Sequence, residues 1–191
     1  MRFEDGSVMR LYRQTVQDFG LYAGQELTDA ELEQLRGAAG AMSAKMRAVR
    51  IVAATSVSKK DLEQRLIHKG EDPDQAKAAV EWMSDMQLLD DRKTAEQVVS
   101  RCIAKGYGLQ RARQALYEKR IPKQYWEEAL QGYPDQTEHI VCFLNARLGQ
   151  QWEEKDLRRA IDALLRRGHS YQQIRRGLEQ LSLAADDFPE E

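Results

Sequence analysis

A self-similar segment recurs along this 191-residue chain at a spacing close to 50 residues. The first copy reads Ser58-Lys59-Lys60-Asp61-Leu62-Glu63-Gln64-Arg65-Leu66-Ile67-His68-Lys69-Gly70. The second reads Gly108-Leu109-Gln110-Arg111-Ala112-Arg113-Gln114-Ala115-Leu116-Tyr117-Glu118-Lys119-Arg120, and the third ends Ile161-Asp162-Ala163-Leu164-Leu165-Arg166-Arg167-Gly168. Leu66, Leu116 and Leu164 hold matching positions, as do Lys69, Lys119 and Arg167, and further on Val80, Leu130 and Leu178. Leu116 follows Leu66 by 50 residues, and Leu164 follows Leu116 by 48. A fixed period of this size marks a structural unit used several times, with each copy packed on its neighbours.

Each unit reads as three helices. Ser58 and Asp61 approach a capping box, in which the hydroxyl takes an orphan backbone N–H and the acid favours the positive helix end. Gly70 is a stop signal, and Asp72-Pro73 starts the next helix, with proline where its missing N–H costs nothing. That helix runs to about Met86. In the second unit Asp90 or Asp91 caps a helix ending near Gly106, a second follows Gly108, and Pro122 opens a third. In the last unit Asp135 and Glu138 form a cap pair and Gly149 is a stop. A helix then covers roughly 154–167, and Ser170 with Gln173 opens a final one over about 171–182. Apolar residues fall at helical spacing throughout: Leu62 and Leu66; Ala76, Val80 and Met83; Ala95, Val98 and Cys102; Ile161, Leu164 and Leu165; Ile174, Leu178 and Leu181. These stripes are expected to form the core.

The first 41 residues differ. Ser7–Tyr12 is expected to form a strand after the Asp5-Gly6 turn. Thr28 and Glu31 cap a short helix ending before Gly37. Gly37–Gly40 reads as a linker into a helix over roughly 42–55. The expected organisation is a 1–41 extension, repeats at 42–88, 89–133 and 134–182, and an acidic tail at 183–191, a solvated end.

Apolar residues make up 42% and charged residues 31% of the chain, with only four prolines, a mixture that favours a folded helical protein. No apolar run approaches a membrane span, and the N-terminus lacks a secretory apolar segment. A cytoplasmic chain with no membrane partner is expected. Cys102 and Cys142 are then read as buried free thiols. His68, His139 and His169 are isolated, no Cys-x-x-Cys occurs, and Lys105-Gly106-Tyr107-Gly108 lacks the spacing of a phosphate-binding loop. No catalytic, metal or cofactor-binding residue is therefore assigned. The net charge of −2 conceals segregation: residues 43–70, 92–133 and 157–178 each carry a net +5, whereas 71–91 carry −6 and 179–191 carry −5. Basic blocks suit a polyanion, and acidic blocks between them suit a protein partner as well.

The run Leu89-Asp90-Asp91-x-x-x-Ala95, continuing through Arg101, Lys105-Gly106-Tyr107-Gly108, Arg111, Arg113, Leu116 and Lys119, resembles the central signature of the RecX family, regulators of the RecA recombinase. Ser58-x-x-Asp61-Leu62-x-x-x-Leu66-x-x-Lys69-Gly70 resembles its first repeat, and Gly24-Gln25-Glu26-Leu27 the extension of some members. The resemblance covers about residues 42–182. Departures stand at Thr94 and Glu71, where aromatics are frequent, at Arg120, where glycine is usual, and at Ala112, which replaces a larger aliphatic. The resemblance implies an all-α protein of three tandem three-helix repeats forming a curved rod. It further implies a non-enzyme, without cofactor, that serves homologous recombination, DNA repair and the SOS response. Its expected partner is RecA on single-stranded DNA; it would lie along that filament and reduce ATPase, strand exchange and co-protease activity.

The cations expected to meet the filament are Arg101, Lys105, Arg111, Arg113, Lys119, Arg159, Arg166, Arg175 and Arg176, with Tyr107 beside them. Arg101 and Lys105 are four apart on one helix, Arg111 and Lys119 eight apart, Arg159 and Arg166 seven apart, spacings that keep each pair near one face. Arginine can grip phosphate or carboxylate in two-pronged fashion. Tyr107 is expected to pack at the helix join rather than stack. Direct DNA contact is expected to be weak, and the chain a monomer. Three-helix units also resemble helix-turn-helix modules, so DNA binding without RecA is the alternative.

Overall fold

The computed structural model describes residues 1–149 and 152–181. The acidic tail at 183–191 lies outside them. The described residues contain ten α-helices and fall into two units, Met1–Asp90 and Asp91–Glu191.

The first unit holds α1 (Arg13–Asp18), α2 (Asp29–Ala54), α3 (Lys59–His68) and α4 (Pro73–Asp85). Ahead of α1, the expected strand over Ser7–Tyr12 is reduced to an isolated antiparallel bridge between Arg2 and Val8. The chain does turn at Asp5-Gly6, where Gly6 has φ +84° and the Ser7 N–H donates to Asp5 Oδ1 at 2.8 Å. A lone pair of short segments has no third strand to extend it, so pairing stops there.

The expected linker at Gly37–Gly40 lies inside α2. The helix opens on the predicted Thr28/Glu31 capping box and continues for 26 residues without a break. Gly40 is kept bare because a Cβ there would overlap the Gln75 side-chain amide, and Gln75 Nε2 donates to the Gly37 carbonyl at 3.4 Å. Glycine here marks close packing of α4 on α2 rather than a chain turn. The caps of α3 and α4 form as expected. Ser58 Oγ accepts from the Asp61 N–H at 3.0 Å, and Asp72 Oδ1 accepts from Asp74 and Gln75. Leu62, Leu66, Ala76 and Met83 meet Ala44 and Ala48 in one core. Glu71, an unusual residue at its position, is buried against α2: Ser43 Oγ donates to it at 3.0 Å, Arg47 Nε lies 2.7 Å away, and Arg47 also donates to the Lys69 carbonyl.

The second unit holds α5 (Asp91–Ala104), α6 (Leu109–Glu118), a 3-10 turn (Lys123–Tyr125) running into α7 (Trp126–Leu130), α8 (Thr137–Leu148), α9 (Glu154–Arg166) and α10 (Tyr171–Gln180). Two cores fill it. One joins Ala95, Val98, Val99, Leu116 and Ile121; the other joins Ile140, Leu144, Ala160, Leu164, Ile174 and Leu178. The Ser170/Gln173 capping box is formed, and Asp135 Oδ1 accepts from the Thr137 N–H at 3.0 Å. The thiol expectation holds for Cys102, which is buried, and fails for Cys142, which is exposed. Ile140, Leu144 and Leu148 recur every four residues on α8, and Cys142 falls on the other side of the helix.

The three matched segments end alike. Gly70, Arg120 and Gly168 all take positive φ, at +87°, +53° and +85°. The next N–H groups, of Glu71, Ile121 and His169, donate to the carbonyls of Leu66, Leu116 and Leu164 at 3.1, 3.0 and 3.2 Å. This left-handed cap closes orphan carbonyls at a helix end, and it tucks the following residue inward. Glu71, Ile121 and His169 are all buried.

Candidate interaction surface

The second unit gathers most of the expected contact residues around one seam. The loop Lys105–Gly108, after α5, lies against Arg167–His169, after α9. The Gly108 N–H donates to the Arg167 carbonyl at 2.9 Å, and the Gln110 N–H to the Gly168 carbonyl at 3.3 Å. The fit needs two glycines facing each other. A Cβ on Gly108 would overlap the Gly168 carbonyl, and a Cβ on Gly168 would overlap the Arg111 backbone. Gly106, at φ +63°, sits under the His139 ring, and its carbonyl lies 3.1 Å from His169 Nε2. A carbonyl can only accept, so Nε2 carries the proton and Nδ1 the lone pair. Nδ1 has no hydrogen-bond partner among the described residues. Burial, more than the nearby charges of Arg167 and His139, pulls the His169 pKa below its usual value.

Tyr107 is half-buried in this seam, as packing predicted, and its carbonyl accepts from the Tyr133 hydroxyl at 2.7 Å. Burial pushes the Tyr133 pKa up to about 12. Burial likewise raises the Cys102 thiol, against the opposing pull of Arg111 and Lys105. The seam is thus largely buried, with cations at its rim.

The cations divide by surroundings. Arg101 is exposed in the last turn of α5, and Lys105 is exposed one residue beyond the helix, rather than within it as its spacing suggested. Arg111 is half-buried and pairs with Glu118 at 3.0 Å, which raises its pKa. Lys119 caps α6 and is half-buried. Arg113 and Arg166 are exposed. The loop-to-loop bonds therefore place the chain at Lys105, Arg111 and Arg166 side by side. Arg159 stands earlier on α9, 3.6 Å from Asp156, and Arg175 on α10 pairs with Glu179 at 3.2 Å. Arg176 is exposed and helps hold the Asp135 carboxyl below its usual range, after the dominant hydrogen bonds from Thr137. These three are not tied to the seam by any bond of that loop pair. Sequence reading missed Arg167, whose guanidinium lies 4.5 Å from the Phe143 ring, and His169. The match of Arg167 to Lys69 and Lys119 was the available signal.

Among the described residues, no group of three His, Cys, Asp or Glu side chains is placed to hold a metal ion, and no helix is long and apolar enough to cross a membrane.

Three helices around their own core, with the second helix closed by the same left-handed cap each time, define a tandem three-helix repeat protein. The chain is 31% identical over 132 residues to Regulatory protein RecX of Xanthomonas axonopodis pv. citri, covering 68% of this chain and 82% of that one. It belongs to the RecX family of regulatory proteins. The family model described as RecX, second three-helix domain, matches residues 90–130, the stretch that forms α5 to α7. Regulatory protein RecX of Vibrio parahaemolyticus is 26% identical over 136 residues, 70% of this chain and 88% of that one. Two solved structures share the fold. A crystal structure of regulatory protein RecX has TM-score 0.64 at 18% identity, covering 92% of this chain and 91% of its own. The structure of RecX from Lactobacillus salivarius has TM-score 0.62 at 22% identity, covering 77% and 99%.

Proposed function

We propose that this protein regulates RecA by binding the RecA–single-stranded DNA filament and lowering its ATPase, strand exchange and co-protease activity. Family membership supports the partner. The observation that supports the site is the seam, whose backbone bonds join the chain next to Lys105 and Arg111 to the chain next to Arg166. Arg101, Arg113 and Lys119 flank it, and Arg159, Arg175 and Arg176 extend the cationic surface on α9 and α10. A filament presents phosphates and acidic protein groups at fixed spacing, and cations carried on backbone joined by hydrogen bonds gain affinity because less loop ordering remains to be done on binding. The protein acts by occupancy, so activity falls as bound protein accumulates.

The test is a titration of RecA ATP hydrolysis on single-stranded DNA, run with wild type and with a Lys105→Glu, Arg113→Glu, Arg166→Glu variant. These side chains are exposed, so helicity should be retained. Wild type should slow hydrolysis at or below stoichiometric amounts and co-sediment with filaments; the variant should need about ten-fold more protein, a loss of roughly 1.4 kcal/mol. No slowing and no co-sedimentation by wild type would refute the reading. Duplex DNA binding that is tight without RecA, with steep salt dependence, would favour the helix-turn-helix alternative.

A further inference from the structure

The second repeat departs from the other two at three positions that lie together on its surface. On α6 and just past its end, Arg113, Tyr117 and Arg120 occupy the places held by Glu63, Ile67 and Gly70 in the first repeat and by Ile161, Leu165 and Gly168 in the third. Ile67 and Leu165 are partly buried and pack against their own cores. Tyr117 does not: it is 72% exposed, the most exposed large apolar side chain among the described residues. Arg113 stands one helical turn before it, also exposed. The Arg120 N–H donates to the Tyr117 carbonyl at 2.8 Å, which fixes Arg120 just beyond it. An exposed aromatic therefore stands on α6 between Arg113, one turn before it, and Arg120, just past the helix end.

Two physical facts make this more than a surface accident. Arg120 holds φ +53°, a left-handed conformation that glycine supplies without strain in the sister repeats. A side chain kept in such a conformation at a cost points to a use for it. The charge around Tyr117 is also one-sided. Residues 109–125 carry Arg111, Arg113, Lys119, Arg120 and Lys123 against the single acid Glu118, and Glu118 is taken by Arg111. An aromatic face with cations on either side matches a single nucleic-acid strand: the ring stacks a base while the arginines take the flanking phosphates.

We infer that Tyr117, with Arg113 and Arg120, forms a stacking site for one unpaired base of single-stranded nucleic acid. The site does not require the filament reading, because the chain alone can take the base, and the two fail separately.

Binding is measured by fluorescence anisotropy with a labelled oligo(dT) and with an abasic oligomer of the same length, both without RecA, for wild type, Tyr117→Phe, Tyr117→Ala and Arg113→Gln. Circular dichroism checks folding, which an exposed position should preserve. Wild type and Tyr117→Phe should bind oligo(dT) at least five-fold more tightly than the abasic strand, and Tyr117→Ala should lose that preference, as expected for one stacked base. Arg113→Gln should weaken both oligomers alike and lower the slope of log affinity against log salt by about one contact. Equal affinity of wild type for the two oligomers overturns the inference. So does a Tyr117→Ala defect seen only with RecA-coated DNA, which would make Tyr117 a protein contact.

Discussion

Arg120 carries a side chain at a helix end where its sister repeats carry none. Its backbone is left-handed where both sister positions are glycine. Such a conformation costs a side-chain-bearing residue about 1 kcal/mol. Arg120→Gly should therefore stabilise the fold by about 1 kcal/mol, a rise of roughly 2–4 °C in melting temperature for a chain of this size. The same change should weaken oligo(dT) binding, a trade between stability and function that calorimetry and anisotropy would reveal together. A destabilised Arg120→Gly would show that the side chain's contacts outweigh its strain. His169 makes a different prediction. It is 3% exposed, with Nε2–H given to the Gly106 carbonyl. Its folded pKa is depressed, by burial first and by Arg167 and His139 after. In the window below its ordinary pKa of about 6.5, the unfolded chain then binds more protons than the folded one, so stability is complete above that pH and falls as the pH drops. The melting temperature should decline as the pH falls below about 6.5, and His169→Gln should flatten that decline. Parallel profiles for the two proteins would count against His169 as the titrating group.

At the level of elements, glycine separates what a pattern reveals from what packing decides. Gly37 sits mid-helix in α2 with open space where a Cβ would go, whereas Gly108 faces the Gly168 carbonyl. In sequence both read as breaks or joins. Gly37→Ala should stabilise the fold by about 0.5–1 kcal/mol through lower chain entropy and better helix propensity. Gly108→Ala should cost about 1–3 kcal/mol by forcing the two loops apart. Thermal melts of the two variants should move in opposite directions; a common direction would mean that the seam yields without cost. The caps were readable because a cap is local: Thr28 with Glu31, Ser58 with Asp61 and Ser170 with Gln173 each lie within one turn. The continuity of α2 was not readable, because the neighbour of Gly37 and Gly40, Gln75 of α4, lies more than thirty residues away in the chain.

Over the whole molecule, charge segregation and repetition work together. Each +5 block falls largely on the helices of one repeat, and the repeat places those blocks on successive copies of one scaffold. A slight overall charge of −2 then coexists with strongly cationic regions, a combination that suits the docking proposed above. The candidate site was partly legible. Lys105 and Arg111 lay in a recognisable run, but the joining of that run to the end of α9 depends on backbone bonds across about sixty residues. Tyr117 was legible only as one residue of a repeat; its exposure became informative once Ile67 and Leu165 were seen packed.

The sequence by itself determined the period, the helical class, the caps and the family, because each rests on residues within a few positions of one another or on a motif read in order. Tertiary structure decided the rest. It turned an expected linker into a helix interior, exposed Cys142 while burying Cys102, and closed Gly106 and Gly108 onto His169 and Gly168. Those outcomes depend on which surfaces meet, and two residues far apart in the chain carry no local mark of the neighbour that will desolvate, strain or expose them.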